Sequence, residues 1–78
     1  MRLDKFLKVS RVIKRRTVAN EAADNGRVSV NGKVVKPSYE VKVGDIVEIQ
    51  FGDKVSKFEI IEIPKVQVRN MGELIKIL

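Results

Sequence analysis

The sequence predicts an α+β domain: two N-terminal helices packed on a small antiparallel sheet, with an additional β extension at the C-terminus. Three observations predict it. Apolar residues recur at helical spacing up to about residue 25; from residue 28 they alternate instead; and an Asn-Gly pair separates the first two alternating runs. Helical and strand periods that are segregated along a chain mark the α+β class. With 78 residues there is room for one domain, residues 1–78, and at that size a single core is modest.

The first helix is expected over Arg2 to Val9. Leu3, Phe6 and Leu7 stand at i, i+3 and i+4 and form one apolar stripe. Lys5 and Lys8 fall outside it, and Asp4 lies in the first turn, where a carboxylate suits the helix dipole. A bend near Ser10 leads through Arg11-Val12-Ile13 to the basic run Lys14-Arg15-Arg16. Thr17 is the expected N-cap of the second helix, with Asn20 where a full capping box would carry Glu or Gln. That helix holds Val18, Ala19, Ala22 and Ala23, and Gly26 ends it. Its small alanines allow a close approach to the first helix.

Val28 to Val35 alternate around Asn31-Gly32, the pair favoured in a type I′ hairpin turn. Lys36-Pro37-Ser38 breaks the strand, and Val41-Lys42-Val43 leads to a turn at Gly44-Asp45. Ile46 to Phe51 is a strand with Val47, Ile49 and Phe51 on one face; Gly52-Asp53-Lys54 turns the chain; Lys57 to Ile63 is a further strand, stopped by Pro64. Gly72 to Leu78 fits neither period, so a short helix and a last strand both remain open.

The chain has no His and no Cys. That removes the commonest general base, the commonest zinc ligands and every thiol nucleophile. The glycines are turn glycines and too dispersed for a phosphate-cradling loop. No enzyme activity, cofactor, metal or small-molecule substrate is expected. The longest aliphatic runs are pairs such as Val34-Val35, far short of the ~20 residues of a membrane-spanning helix. The expected location is the cytoplasm, with no membrane partner, and nothing in the sequence calls for more than a monomer.

The net charge of +6 is unevenly placed. Residues 1–36 hold ten Lys or Arg against three acids, whereas residues 37–78 hold six against seven. An excess confined to one half points to a polyanion that meets one part of the molecule. Arg2, Lys5, Lys8, Arg11, Lys14, Arg15 and Arg16 recur every few residues and then cluster. Arginine grips phosphate through paired hydrogen bonds. Lys33, beside the hairpin turn, offers a second contact, while Asn31 is needed by the turn itself. Phe6, Phe51 and Phe58 fall on apolar faces and there is no Trp, so the aromatic platform of single-strand binders is missing. Structured RNA read by shape and backbone is the expected ligand.

These residues also carry a resemblance. Arg2-Leu3-Asp4-Lys5, the basic helix junction, the Gly-ended second helix, Val28-Ser29-Val30-Asn31-Gly32 and the following Lys36-Pro37 resemble the alpha-L RNA-binding motif, the domain named after ribosomal protein S-four. The resemblance covers residues 1 to about 51 and leaves 52–78 as an extension without a recognised motif. Met1 to Thr17 and the short length are most similar to stand-alone members that act in ribosome-associated quality control in Gram-positive bacteria. The resemblance implies partners: rRNA of the large ribosomal subunit, tRNA, and an RqcH-type tailing factor that adds alanines to stalled chains. It also implies RNA contact for Arg2 and Arg16 first, and for Lys5, Arg11, Lys14 and Arg15 after them. A general large-subunit chaperone or assembly factor is the alternative within RNA binding. An adaptor that pairs the edge of strand Lys57 to Ile63 with another protein is the alternative outside it.

Overall fold

The chain begins by tying its first residues to its middle. In the computed structural model, which describes residues 1–64 and 74–78, Arg2 bridges Glu40 in antiparallel fashion. The Val41 N–H donates to the Met1 carbonyl. The first helix, α1 (Leu3–Val9), has no capping side chain. The Leu3 and Asp4 N–H groups donate instead to the carbonyls of Tyr39 (2.7 Å) and Pro37 (3.2 Å). The Lys5 N–H is taken by the carboxylate of Asp4 at 2.8 Å. Amides that a free helix end leaves unsatisfied are therefore covered by the crossing segment.

The second helix, α2 (Arg16–Asp24), starts earlier than the sequence suggests. Its N-cap is Arg15, in extended conformation and without a side-chain cap bond; Thr17 lies inside the first turn. The reason is tertiary. Starting at Arg16 places Arg16 and Asn20 four residues apart on one face, and both reach Asp4. The helix ends as expected, at Gly26 with φ +75. Gly26 N–H bonds to the Ala23 carbonyl and Arg27 N–H to that of Ala22, which is the Schellman pattern. Ala19, Ala22 and Ala23 are buried, so the small face does bring the helices together.

Five strands follow in one sheet: β1 (Val28–Val30), β2 (Lys33–Val34), β3 (Ile46–Phe51), β4 (Lys54–Ile60) and β5 (Ile75–Ile77), in the order β2-β1-β3-β4-β5. All the pairings are antiparallel. Asn31 and Gly32 both have positive φ, at 52 and 85, as a type I′ turn requires. Val28, Val30, Val47, Ile49, Phe58 and Ile60 share one buried face of the sheet and join Leu3, Phe6 and Leu7 in a single core. The other face carries Ser29, Glu48 and Lys57 in register, with Lys57 Nζ 3.6 Å from the Glu48 carboxylate. The helices thus cover one face only.

Two expectations about the strands are corrected, and the tail takes one of its two open forms. The strand expected over Lys57 to Ile63 is β4, Lys54–Ile60, because the turn is confined to Gly52-Asp53 and pairing resumes at once with Phe51 opposite Lys54. Its residues Phe58 to Ile60 pair with β5 on the side away from β3, so that stretch of backbone is not the free edge an adaptor would need. Phe51 follows the apolar alternation but is 41% exposed, because it stands at the hairpin end beyond the helix layer. Of the tail, residues 75–77 form a strand paired with Phe58 to Ile60; residues 65–73 lie outside the described residues.

Candidate nucleic-acid interface

Asp4 organises the basic surface. It is 2% exposed, one position along the helix from Leu3 and three before Leu7, at the margin of the apolar stripe. An uncompensated carboxylate there would be costly. Asp4 is instead surrounded by donors: Arg2 Nε at 3.3 Å, Arg16 Nη2 at 3.4 Å, Asn20 Nδ2 at 3.2 Å and its neighbour's N–H. Burial pushes its pKa up, but the hydrogen bonds from Asn20, Arg16 and Lys5 N–H, with the charge of Arg16, outweigh this, and the carboxyl sits below its ordinary value of 3.8. Both guanidinium groups are then fixed at their inner ends while remaining about half exposed, 51% for Arg2 and 45% for Arg16. They open into a groove of about 440 Å³ lined by Arg2, Asp4, Arg16, Thr17, Asn20 and Glu21.

The lowered pKa of Asp4 makes its contribution to stability depend on pH. A carboxyl lowered in the folded state contributes stability that is fully present above its unfolded value and is lost as pH falls through the folded one. The expected result is that Asp4→Asn melts below the native protein at pH 6. The gap narrows as the pH drops below 3.8, the ordinary value. Thermal melts of the two proteins across pH 6 to about 3 check it; a gap that stays constant would show that the carboxylate charge contributes nothing.

The remaining cations lie on the same two helices and their junction. Lys5 and Lys8 are exposed on α1, and Arg11, Lys14 and Arg15 are exposed on the connection to α2. None of them makes an ion pair among the described residues. The structure therefore brings Arg2, Lys5, Lys8, Arg11, Lys14, Arg15 and Arg16 onto the two helices and their junction. Lys33 belongs elsewhere. It lies on the edge strand β2, whose Val34 packs near Gly26 at the C-terminal end of α2. The basic junction is at the other end of that helix, roughly 13 Å away for nine residues.

Arg11 is held with φ 65, a conformation that costs a non-glycine residue about 1 kcal/mol. It closes the end of α1, where glycine is usual, and its N–H bonds to the Lys8 carbonyl at 3.0 Å. A cation kept where glycine would be easier is a cue for function. Arg11→Gly is expected to leave the melting temperature within a few degrees of the native value, since relieved strain and added chain entropy nearly cancel. If Arg11 meets one of the phosphates of a nucleic acid, affinity for that ligand is expected to fall severalfold. A melt and a filter-binding titration on the same sample measure both.

Two residues that build this surface escape a sequence reading. Asn20 reads as a failed capping box, and Asp4 as a helix-dipole residue, yet together they position the arginines. The available signal is a carboxylate at the edge of an apolar stripe with more arginines nearby than acids. Asp45 likewise reads as a turn residue. It is 6% exposed and accepts from Asn31 Nδ2 (3.1 Å), the Tyr39 hydroxyl (3.1 Å) and Lys42 N–H (2.9 Å). Burial, then the hydrogen bond and charge of Asp45, pushes the Tyr39 hydroxyl pKa up. Asn31 in turn accepts from Ile46 N–H at 3.0 Å, which confirms its structural role. Among the described residues no group of acidic side chains is arranged to hold a metal, and no helix is long and apolar enough to cross a membrane.

Residues 1–47 match the family model described as S4 domain. The chain is 60% identical over 62 residues to the RQC P-site tRNA stabilizing factor of Streptococcus pneumoniae, covering 80% of this chain and 70% of that protein. It is 49% identical over 80 residues to the factor of the same name from Bacillus subtilis, covering 97% of this chain and 93% of that one. Among solved structures, a trimeric structure of Heat Shock Protein 15 from Vibrio cholerae superposes with a TM-score of 0.84 at 28% identity, covering all of this chain and 81% of that one.

Proposed function

The chain belongs to the S4 domain family, and from that premise we propose that it is an RNA-binding factor of ribosome-associated quality control. It binds large-subunit rRNA and tRNA on large subunits obstructed by peptidyl-tRNA, and it supports RqcH-driven alanine tailing of the stalled chain. It works by holding RNA and carries out no chemical step. The observation that carries this reading is the basic helix pair, with two arginines anchored on a buried carboxylate and five further exposed cations on the same two helices and their junction. The name shared by the relatives, RQC P-site tRNA stabilizing factor, supports tRNA as a ligand and quality control as the process.

Phosphate contacts supply most of the affinity in this mechanism. The anchored arginines and the fixed angle of helices on sheet supply selectivity for a shape. If about six cations neutralise phosphates, log affinity should fall against log salt with a slope of roughly −4 to −5. A filter-binding titration measures it, and a slope near zero would sink the electrostatic mechanism. Sedimentation with purified subunits tests the partner: the protein is expected in the large-subunit fraction and not with the small subunit. Recovery of RqcH along with peptidyl-tRNA-blocked subunits separates this reading from a general assembly or chaperone role, which predicts large-subunit binding without RqcH.

A further inference from the structure

The groove between α1 and α2 contains an acid that phosphate binding does not explain. Arg2 and Arg16 both reach the same oxygen, Asp4 Oδ1, at 3.3 and 3.4 Å. Their inner nitrogens are thus no further apart than the sum of those distances, and one phosphate can touch both guanidinium groups. Asp4 is already saturated by four sets of donors, so it has nothing left to offer a ligand. Glu21 lines the same groove and is exposed. Arg16 pairs with Asp4 and not with Glu21, and among the described residues the Glu21 carboxylate has neither an ion pair nor a hydrogen bond. Thr17, four residues earlier, lies on the same side of the helix and lines the groove beside it.

A carboxylate is acceptor-only when ionised and repels phosphate, so its use in this groove requires a donor on the ligand close to the phosphate. In a ribonucleotide backbone the donor that accompanies every phosphate, whatever the base, is the 2′-hydroxyl. We propose that Glu21 accepts a hydrogen bond from the 2′-hydroxyl next to the phosphate held by Arg2 and Arg16, so that the groove selects ribose over deoxyribose. This rests on the RNA-binding reading above and adds to it which side chain recognises the sugar. Glu21 is then a specificity residue, set apart from the cations that provide affinity. Its negative charge lowers affinity for any polyanion lacking the hydroxyl and leaves affinity for RNA less affected.

The test compares a stem-loop RNA with the same stem-loop carrying 2′-fluoro at every position. Fluoro substitution keeps the A-form helix and the size of the group but removes the donor. Binding of both probes to the native protein, E21A and E21Q is measured by filter titration at one salt concentration. The native protein is expected to prefer the hydroxyl probe by about tenfold, the worth of one hydrogen bond to a charged group at a partly exposed site. In E21A both affinities rise, because an acid has been removed, and the preference collapses towards one. E21Q, which retains an acceptor oxygen without the charge, keeps part of the preference. A preference that is the same in E21A as in the native protein overturns the proposal, and so does a native protein that binds both probes equally; the RNA-binding reading survives either result. A native protein that binds neither probe overturns both.

Discussion

Replacing Arg15 and Arg16 together by alanine is expected to lower affinity for large-subunit RNA by about 100-fold or more while the protein stays folded. Each arginine that reaches a phosphate makes charge-assisted hydrogen bonds worth ~1.5–3 kcal/mol, and two of them at the lower figure already correspond to that factor. The fold should tolerate the change. Arg15 is exposed, and as N-cap it makes no side-chain bond to the helix, so no cap is lost. Arg16 gives up its pairing with Asp4, but its side chain is 45% exposed, and solvent screening limits that loss to about 1 kcal/mol or less. Asp4 keeps Arg2, Asn20 and the Lys5 N–H. Co-sedimentation with large subunits and a thermal melt check the two halves of the prediction. The salt slope of the double variant should also be shallower by about 1.5 to 2. Unchanged co-sedimentation with an unchanged melt would mean that the helix junction is not where RNA binds.

The second large effect concerns stability and leaves the basic surface untouched. Asp45→Ala removes the acceptor for Asn31, Tyr39 and the Lys42 N–H at once. The donors left behind, on the half-buried Tyr39 and on Asn31 and Lys42 at the surface, would cost ~1–3 kcal/mol each if wholly deprived of water. Because some of them regain solvent, about 2–4 kcal/mol in total is the expected loss. A domain of this size has roughly 4–12 kcal/mol to lose, and the melting temperature should drop by roughly 10–25 °C. Asp45→Asn should restore only part of this. Its single acceptor oxygen serves either Asn31 or the Tyr39–Lys42 pair, and its NH₂ faces a donor on the other side. Denaturation followed by circular dichroism decides it. A melt within a few degrees of the native one would show that the network is incidental to the fold.

These two variants mark what the sequence makes legible. The hairpin at Asn31-Gly32 and the helix end at Gly26 were readable because the signal is local: both positions have positive φ, and the residues that tolerate it stand there. The alternation of β3 and the alanine face of α2 were readable for the same reason. The cations were legible as a cluster, since net charge needs no geometry. The device that holds two of them was not. Asp4 and Asn20 are 16 residues apart, and Asn31 and Asp45 are 14 apart. Each of these four side chains has an ordinary local explanation that hides its distant partner. The expected cap at Thr17 failed through the same competition: Arg16 and Asn20 set the helix start by what they bond in another helix. The extent of β4 was missed because Gly52, with φ 58, allows a two-residue turn where a longer one was expected.

The crossing of residues 1–4 over residues 37–41 also imposes an order of events on synthesis. The amides of Leu3 and Asp4 bond to carbonyls of Tyr39 and Pro37, and the Met1 carbonyl waits for Val41. Helix α1 is made first but has no support until the chain has been extended past Val41. The sheet face that shares its core includes Phe58 and Ile60, which are made later still. A seven-residue helix is marginal alone, and contacts this distant in sequence form only after the intervening loop has closed. The arginines carried by the first sixteen residues therefore emerge early as separate, mobile charges. They become a shaped surface only after Phe58 and Ile60 have joined the core, so a copy synthesised no further than the first strands has the charge of that surface without its geometry.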